Sequence, residues 1–339
     1  MGIRGLDGAR WDLYPRGSFW RSAPTEATGR PDRANGKNGE MTPWRARPPK
    51  RSLEWAAASL GPGSRVISAR LLDQGGWHAN HAVTVVDARH VSHRLVLRRW
   101  ARPGWALGDP DFTAAREVEV LKLLERNRIP APRLVAADPS ALACDVPALL
   151  TTLLPGHPPI RFADVESFLR QLAEMLARIH DVASDGAAVP TYRTYVDMKR
   201  ASVPTWLRDG RTWRRALAVV RRPRQPAATM FIHRDYHPEN SLWSRGRLTG
   251  IVDWTQASIG APEVDVGHMR WNLVATYGQA PAERFLDLYE SMVGRRLSDQ
   301  PFWDLVTVLD LVLDVADPIP AVELERLETH AAASLAKLI

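Results

Sequence analysis

Apolar positions along this chain follow two different periods, and the change from one to the other divides it into parts of different architecture. RVISARLL and HAVTVV gather β-branched residues in short runs on either side of Gly75 and Gly76, which predicts a strand, a glycine turn and a second strand. HRLVLRRW has the same character and gives a third strand. The period then lengthens: FTAAREVEVLKLLERNRIPAP sets Val118, Leu121, Leu124 and Ile129 at helical spacing and stops at Pro130 and Pro132. VPALLTTLLPG reads as a short apolar strand closed by Pro155 and Gly156, and SLEWAAASL, ahead of the strands, as a short helix. Beyond Gly156 the helical period dominates, in VESFLRQLAEMLARIHDV and over residues 263–277, 281–293 and 302–315, with a small hairpin between. The expected fold class is α+β: a small antiparallel sheet with one helix, followed by a mainly helical part.

Composition changes this picture little. A chain of 339 residues with 45% hydrophobic content has enough apolar surface for two packed lobes. Residues 1–50 are the exception: rich in Gly, Pro, Arg and Asn and without apolar periodicity, they read as a disordered extension, with Met41 as an alternative start. Cys144 is the only cysteine, so an intrachain disulfide is impossible and a reducing, cytoplasmic setting is expected. The longest apolar stretch, LVTVLDLVLDVA, is interrupted by Asp310 and Asp314, and the Arg-rich start lacks an apolar signal core, so neither a membrane span nor export is expected. The net charge of +7 is uneven, basic near the start and acidic after residue 281. Arg208, Arg211, Arg214, Arg215, Arg221, Arg222 and Arg224, interleaved with Trp206 and Trp213, have the composition of a nucleic-acid surface, but a solvated helix face explains them more simply. The oligomeric state is not readable.

The chemistry concentrates in FIHRDYHPENSLW followed by TGIVDW. Transfer of a γ-phosphoryl group to a hydroxyl needs a carboxylate to orient or deprotonate the nucleophile, and oxygen ligands to hold Mg²⁺ against the phosphates. H-R-D-x-x-x-x-N supplies Asp235 and Asn240 from one loop, and Asp253 follows Asp235 by 18 residues, after the apolar pair Ile251 and Val252.

From about Leu71 to its end, the chain resembles the aminoglycoside/choline phosphotransferase family, small-molecule kinases with a protein-kinase-like fold. HRDYHPENSLW together with LTGIVDWTQASIGAPEVDVG carries that resemblance. It implies two lobes, an N-lobe over residues 51–152 and a C-lobe over 153–339, with ATP or GTP as donor, Mg²⁺, and a small-molecule hydroxyl as acceptor. In these terms Asp235 is the catalytic carboxylate, Asn240 and Asp253 the metal ligands, and His233 and Asp265 structural supports of the loop. Arg98 falls where such folds carry a phosphate-contacting Lys, with Arg99 competing for the role, and Glu117 where the helix supplies its ion-pair partner. Gly75 and Gly76 would cover the nucleotide, and Thr152, within residues 151–153, would offer backbone groups to the base. Three departures stand out: Arg98 for Lys, Glu239 for the Gly of HPGN, and Ala261 for the first Asp of GDPxxDLA.

For the acceptor, Asp310, Asp314 and Asp317 fall on one helical face suited to an aminated alcohol such as an aminoglycoside. Two other activities stay open: a nucleotide-binding pseudokinase, or a protein kinase, the latter disfavoured because residues 261–263 (APE) follow Asp253 too closely to close a peptide-binding segment. A metal-dependent hydrolase using His233, Asp235 and His237 is the remote alternative.

Overall fold

Alternation along the strands builds the smaller lobe. The computed structural model describes residues 43–72, 78–104, 112–159, 164–184, 186–222, 224–315 and 318–338. Strands β1 (Arg65–Leu71), β2 (Ala79–Val86), β3 (Ser92–Arg99), β4 (Leu134–Asp138) and β5 (Ala148–Thr152) form one antiparallel sheet in the order β1-β2-β3-β5-β4. Successive residues of β5 point to opposite faces. Ala148 and Leu150 therefore join Val83, Val85, Leu95 and Leu97 under Ala56 and Ala57 of helix α1 (Lys50–Ala58), while Leu149 faces the main core with Val118, Leu121 and Leu124 of α2 (Ala114–Arg126). The hydroxyl of Thr113 caps α2 by accepting the N–H of Arg116 at 3.3 Å. The sequence pattern did not foresee β4, a five-residue strand whose VAA carries no clear period.

The larger lobe is helical. Its helices are α3 (Val165–His180), α4 (Gly210–Val220), α5 (Pro262–Tyr277), α6 (Gln279–Val293), α7 (Gln300–Asp314) and α8 (Ala321–Ala336). Helix α3 starts at the cap Asp164, which accepts the N–H of Ser167 at 3.0 Å, and buries Phe168, Leu169, Leu172, Leu176 and Ile179 as a stripe. Helix α5 is buried on nearly every side, and α7 likewise. A buried ion-pair network ties them together: Arg270 of α5, 1% exposed, contacts Asp304 of α7 at 3.1 Å and Glu283 of α6 at 3.3 Å. Removing one partner of such a network strands a buried charge, so these helices are tied in register more than they are stabilised. Among the described residues no helix is long and apolar enough to cross a membrane.

Two small sheets lie between α4 and α5: β6 (Met230–Ile232) pairs with β9 (Ser258–Gly260), and β7 (Ser241–Ser244) with β8 (Arg247–Ile251). The second is the expected hairpin, and it abuts the connection from β5. His157 and Trp243 exchange backbone hydrogen bonds of 3.0 and 2.8 Å, which requires the chain to turn sharply at Gly156, where φ is 103°. A Cβ there would lie 2.5 Å from the carbonyl oxygen of Trp243. Gly156→Ala should therefore cost about 2–3 kcal/mol, the range for a forced backbone shift at a packed position. A urea titration reads this as a lower midpoint at unchanged slope; an unchanged midpoint would mean that the connection has room to yield.

Candidate active site

Strand β6, with Phe231 and Ile232 buried, delivers the chain into the loop of residues 233–240, and β8 delivers Val252 and Asp253 beside it. His233 joins the two. Its Nε2 donates to the carbonyl of Val252 at 3.0 Å, and its Nδ1 accepts the N–H of Asp235 at 3.2 Å. Burial lowers its pKa against the pull of Asp265 and Asp235, and a neutral ring with one N–H and one lone pair suits both bonds. With both ring nitrogens engaged, none is left for a metal, which overturns the hydrolase alternative built on His233, Asp235 and His237.

Asp265, in the first turn of α5, is fully buried beneath the loop. Its carboxylate accepts the N–H of His233 at 2.7 Å and of Arg234 at 2.6 Å, and contacts Nε2 of His180 at 3.1 Å. His180 in turn meets the hydroxyl of Tyr289 at 2.7 Å through Nδ1. The two amide bonds hold Arg234 in the left-handed region, at φ 71°, and its guanidinium donates to Gln256 at 2.7 Å and stacks 4.1 Å from the ring centroid of Tyr195.

The reversal at Arg234 turns Asp235 outward. Its Oδ2 accepts from Asn240 Nδ2 at 3.0 Å, and its Oδ1 lies 3.2 Å from Nε2 of His268. Burial would push this carboxyl up, but His237, 3.7 Å away, and His268 outweigh it and hold Asp235 well below the usual carboxylate range. His237 moves the opposite way, raised by Asp235 in spite of burial.

Asn240 uses its amide nitrogen on Asp235, leaving Oδ1 as its remaining polar group, and its backbone carbonyl accepts the N–H of Val252 at 2.9 Å, so Asp253 follows directly beside it. Asp253 also sits in the left-handed region, at φ 64°. An amide oxygen and a half-exposed carboxylate form a hard oxygen pair of the kind that shares Mg²⁺ with substrate phosphates; among the described residues no three His, Cys, Asp or Glu side chains converge on a metal.

From the smaller lobe, Arg98 on β3 crosses the cleft. Its Nε lies 2.9 Å from Glu117 Oε2, and one terminal nitrogen donates to Asp253 Oδ1 at 2.6 Å and to Thr255 at 2.5 Å. Arg99 points to the other face of the sheet and pairs with Asp145, so of the two arginines Arg98 faces the cleft. Burial pushes Glu117 up to about 6, with Arg98 opposing, while Glu117 and Asp253 keep Arg98 charged despite its own burial.

Two expectations are corrected. Thr152 does not offer its N–H to a base: β5 lies between β3 and β4, so both of its edges are paired, and that N–H bonds the carbonyl of Arg133 at 2.9 Å while the N–H of Leu153 bonds that of Arg94 at 3.2 Å. Asp310 does not belong to an exposed acidic face. It is buried, and its two oxygens accept the N–H groups of Tyr195 and Val196, each at 2.9 Å, so it anchors that loop from below. Asp314 is half-buried at the end of α7. Gly75, Gly76 and Asp317 lie outside the described residues. His268 and Thr255 were not foreseen. The signal for His268 was its place three residues after Asp265 in a predicted helix, which puts both on one face.

A family model described as a phosphotransferase enzyme family matches residues 72–302. A curated relative, the uncharacterised protein YcbJ of Bacillus subtilis (strain 168), is 27% identical over 154 residues, covering 38% of this chain and 45% of that protein, so the match spans less than half of that relative's length. Among solved structures, macrolide 2′-phosphotransferase MphH of Brachybacterium faecium, as apoenzyme, is similar with a TM-score of 0.54 at 18% identity, over 84% of this chain and 97% of that one. A thermostable mutant of the aminoglycoside phosphotransferase APH(4)-Ia, in ternary complex with ADP and hygromycin B, is similar with a TM-score of 0.57 at 15% identity, over 84% and 98% of the two chains. The fold is thus that of the protein-kinase-like small-molecule kinases.

Burial raises Asp310 to about 7, against the two amide bonds that favour its ionised form. Unfolded, the same group ionises near pH 3.9. Between these values the unfolded chain has lost a proton that the folded chain keeps, so this group's contribution to stability is full below about pH 4 and is lost as the pH rises to about 7. Asp310→Asn removes the titration. The stability of the parent relative to this variant, from urea midpoints at several pH values, should fall between pH 5 and pH 7.5; a constant difference would mean that Asp310 is ionised in the folded protein throughout.

Proposed function

This chain belongs to the phosphotransferase enzyme family, and on that premise we propose that it moves the γ-phosphoryl group of a nucleoside triphosphate to a hydroxyl of a small molecule. The single observation that carries this reading is the convergence of Asp235, Asn240 and Asp253 on adjoining loops, with Arg98 reaching Asp253 from the opposite lobe.

Asp235, held ionised and half exposed, accepts a hydrogen bond from the acceptor hydroxyl and aims its oxygen at the phosphorus. Asn240 and Asp253 would hold Mg²⁺, which would supply neutralisation of phosphate charge. Arg98, fixed by Glu117, donates to phosphate oxygens; its planar fork can serve two oxygens at once, in place of the point charge of a lysine. In this reading the smaller lobe, residues 51–152, holds the nucleotide, and the larger, 153–339, brings the acceptor. The donor is ATP or GTP; the ADP complex of the similar APH(4)-Ia structure supports an adenine nucleotide. The acceptor class follows the same neighbours, named for aminoglycosides and macrolides: a hydroxylated, often aminated, small molecule. With Asp310 committed to anchoring the loop of Tyr195 and Val196, neutral acceptors belong beside polycationic ones. The lone cysteine supports a reducing, cytoplasmic setting.

The test is release of nucleoside diphosphate from Mg²⁺·ATP and Mg²⁺·GTP across aminoglycosides, macrolides, choline, sugars and amino-alcohols. Asp235→Asn should lower the rate by about 10²- to 10⁴-fold while nucleotide still binds. Asp253→Ala should abolish Mg²⁺-dependent nucleotide binding measured by calorimetry. Nucleotide binding without turnover on any acceptor would support a pseudokinase, and absence of binding would overturn the proposal.

A further inference from the structure

We infer that His268 is a positioning residue for phosphoryl transfer, a second clamp that fixes the rotation of the Asp235 carboxylate from helix α5. The inference rests on the kinase reading above and adds a residue that the Asp, Asn and Asp trio does not contain.

A carboxylate that must aim one lone pair at a hydroxyl has a softness problem. The terminal torsion of Asp is broad and roughly two-fold, so a single hydrogen bond to one oxygen leaves the other free to swing. Asn240 holds Oδ2 at 3.0 Å, and the side chain of His268 reaches the other oxygen, Oδ1, at 3.2 Å. With the amide of Asn240 on one oxygen and Nε2 of His268 within 3.2 Å of the other, the tautomer that carries its proton on Nε2 defines the carboxylate plane, and each oxygen keeps a lone pair for the acceptor.

The place of His268 suits it to this task. It stands three residues after Asp265 on the same buried helix. Asp265 fixes the amides of His233 and Arg234, so α5 sets the backbone of the catalytic loop through one side chain and the reacting carboxylate through the next on that face. The ring cannot wander: it lies 4.7 Å from the ring of Trp271 and 5.8 Å from that of His237, and only 12% of the side chain is exposed. Donors mounted on a rigid helix hold a site more tightly than donors on a loop. The backbone is secured independently, since the carbonyl of His268 accepts from the side chain of Asn272 at 2.9 Å.

Positioning and simple charge compensation lead to different mutant behaviour. Gln presents an N–H at a similar reach without a positive charge, whereas Met matches the length and bulk of Gln without a donor. With the acceptor found by the panel above, or with water as acceptor in Mg²⁺·ATP hydrolysis, His268→Met should lower kcat by about 10- to 100-fold, the cost of a misaimed group, with the nucleotide KM nearly unchanged. His268→Gln should recover most of the loss. Equal rates in the two variants, an unaffected His268→Met, or a nucleotide KM that moves with kcat would each overturn the inference. If His268→Met does not fold, His268→Leu takes its place. Crystal structures of the pair keep the question separate from the activity: a chain without any turnover would sink the kinase reading, while an Asp235 carboxylate that swings in His268→Met and stays fixed in His268→Gln would uphold the clamp. A carboxylate unmoved in both would overturn it.

Discussion

The loop of residues 233–240 depends on one buried carboxylate. Asp265 has no contact with solvent, and its carboxylate is tolerable there only because two consecutive backbone N–H groups and an imidazole surround it. The same bonds work in the other direction. A left-handed conformation at a non-glycine residue costs about 1–2 kcal/mol, and Arg234 adopts it because its N–H and that of His233 point to a single acceptor. Leaving two buried amides unpaired would cost about 1–3 kcal/mol each, so the strained turn is the cheaper state. That turn aims Asp235 outward and lets Asn240 close back on it.

A second constraint runs across the cleft. Arg98, Glu117, Asp253 and Thr255 form a buried polar cluster whose members come from β3, α2 and the segment after β8. Such ion pairs contribute little net stability once desolvation is counted, and their value lies in geometry. The Arg98 guanidinium is held from both sides of the cleft, by Glu117 on a helix of its own lobe and by Asp253 of the other. The elevated carboxyl of Glu117 reflects the same enclosure, where burial competes with the adjacent arginine.

Much of this was legible in the residues. Short β-branched and apolar runs predicted β1, β2, β3 and β5, and helical spacing predicted α1, α2, α3, α5, α6 and α7; where an element buries one face, as α3 does, that face writes the pattern, whereas β5, α5 and α7 are buried on both or nearly all sides and were legible as apolar runs of strand or helix length. Asp235, Asn240 and Asp253 could be picked out because they lie in two short strings with fixed spacing. Strand β4 and helices α4 and α8 were harder: β4 is too short to show a period, and the arginines of α4 hide an apolar side consisting of Trp213, Ala216 and Leu217.

What the sequence determined by itself was the alternation of buried and exposed positions and the local chemistry of the loop, because both depend on residues near one another in the chain. What only the tertiary structure decided was which polar groups meet across long separations. Arg98 and Asp253 are 155 residues apart, and their contact follows from helix α2 of the smaller lobe packing against the turn of residues 254–256 that comes after β8. Thr152 lost its expected role because β5 gained neighbours on both edges, and Asp310 because α7 sank into the core with a loop laid over it. An acidic side chain on an apparent surface stripe and one buried as a loop anchor are written with the same letter. The difference lies in the desolvation and in the partners that the fold supplies.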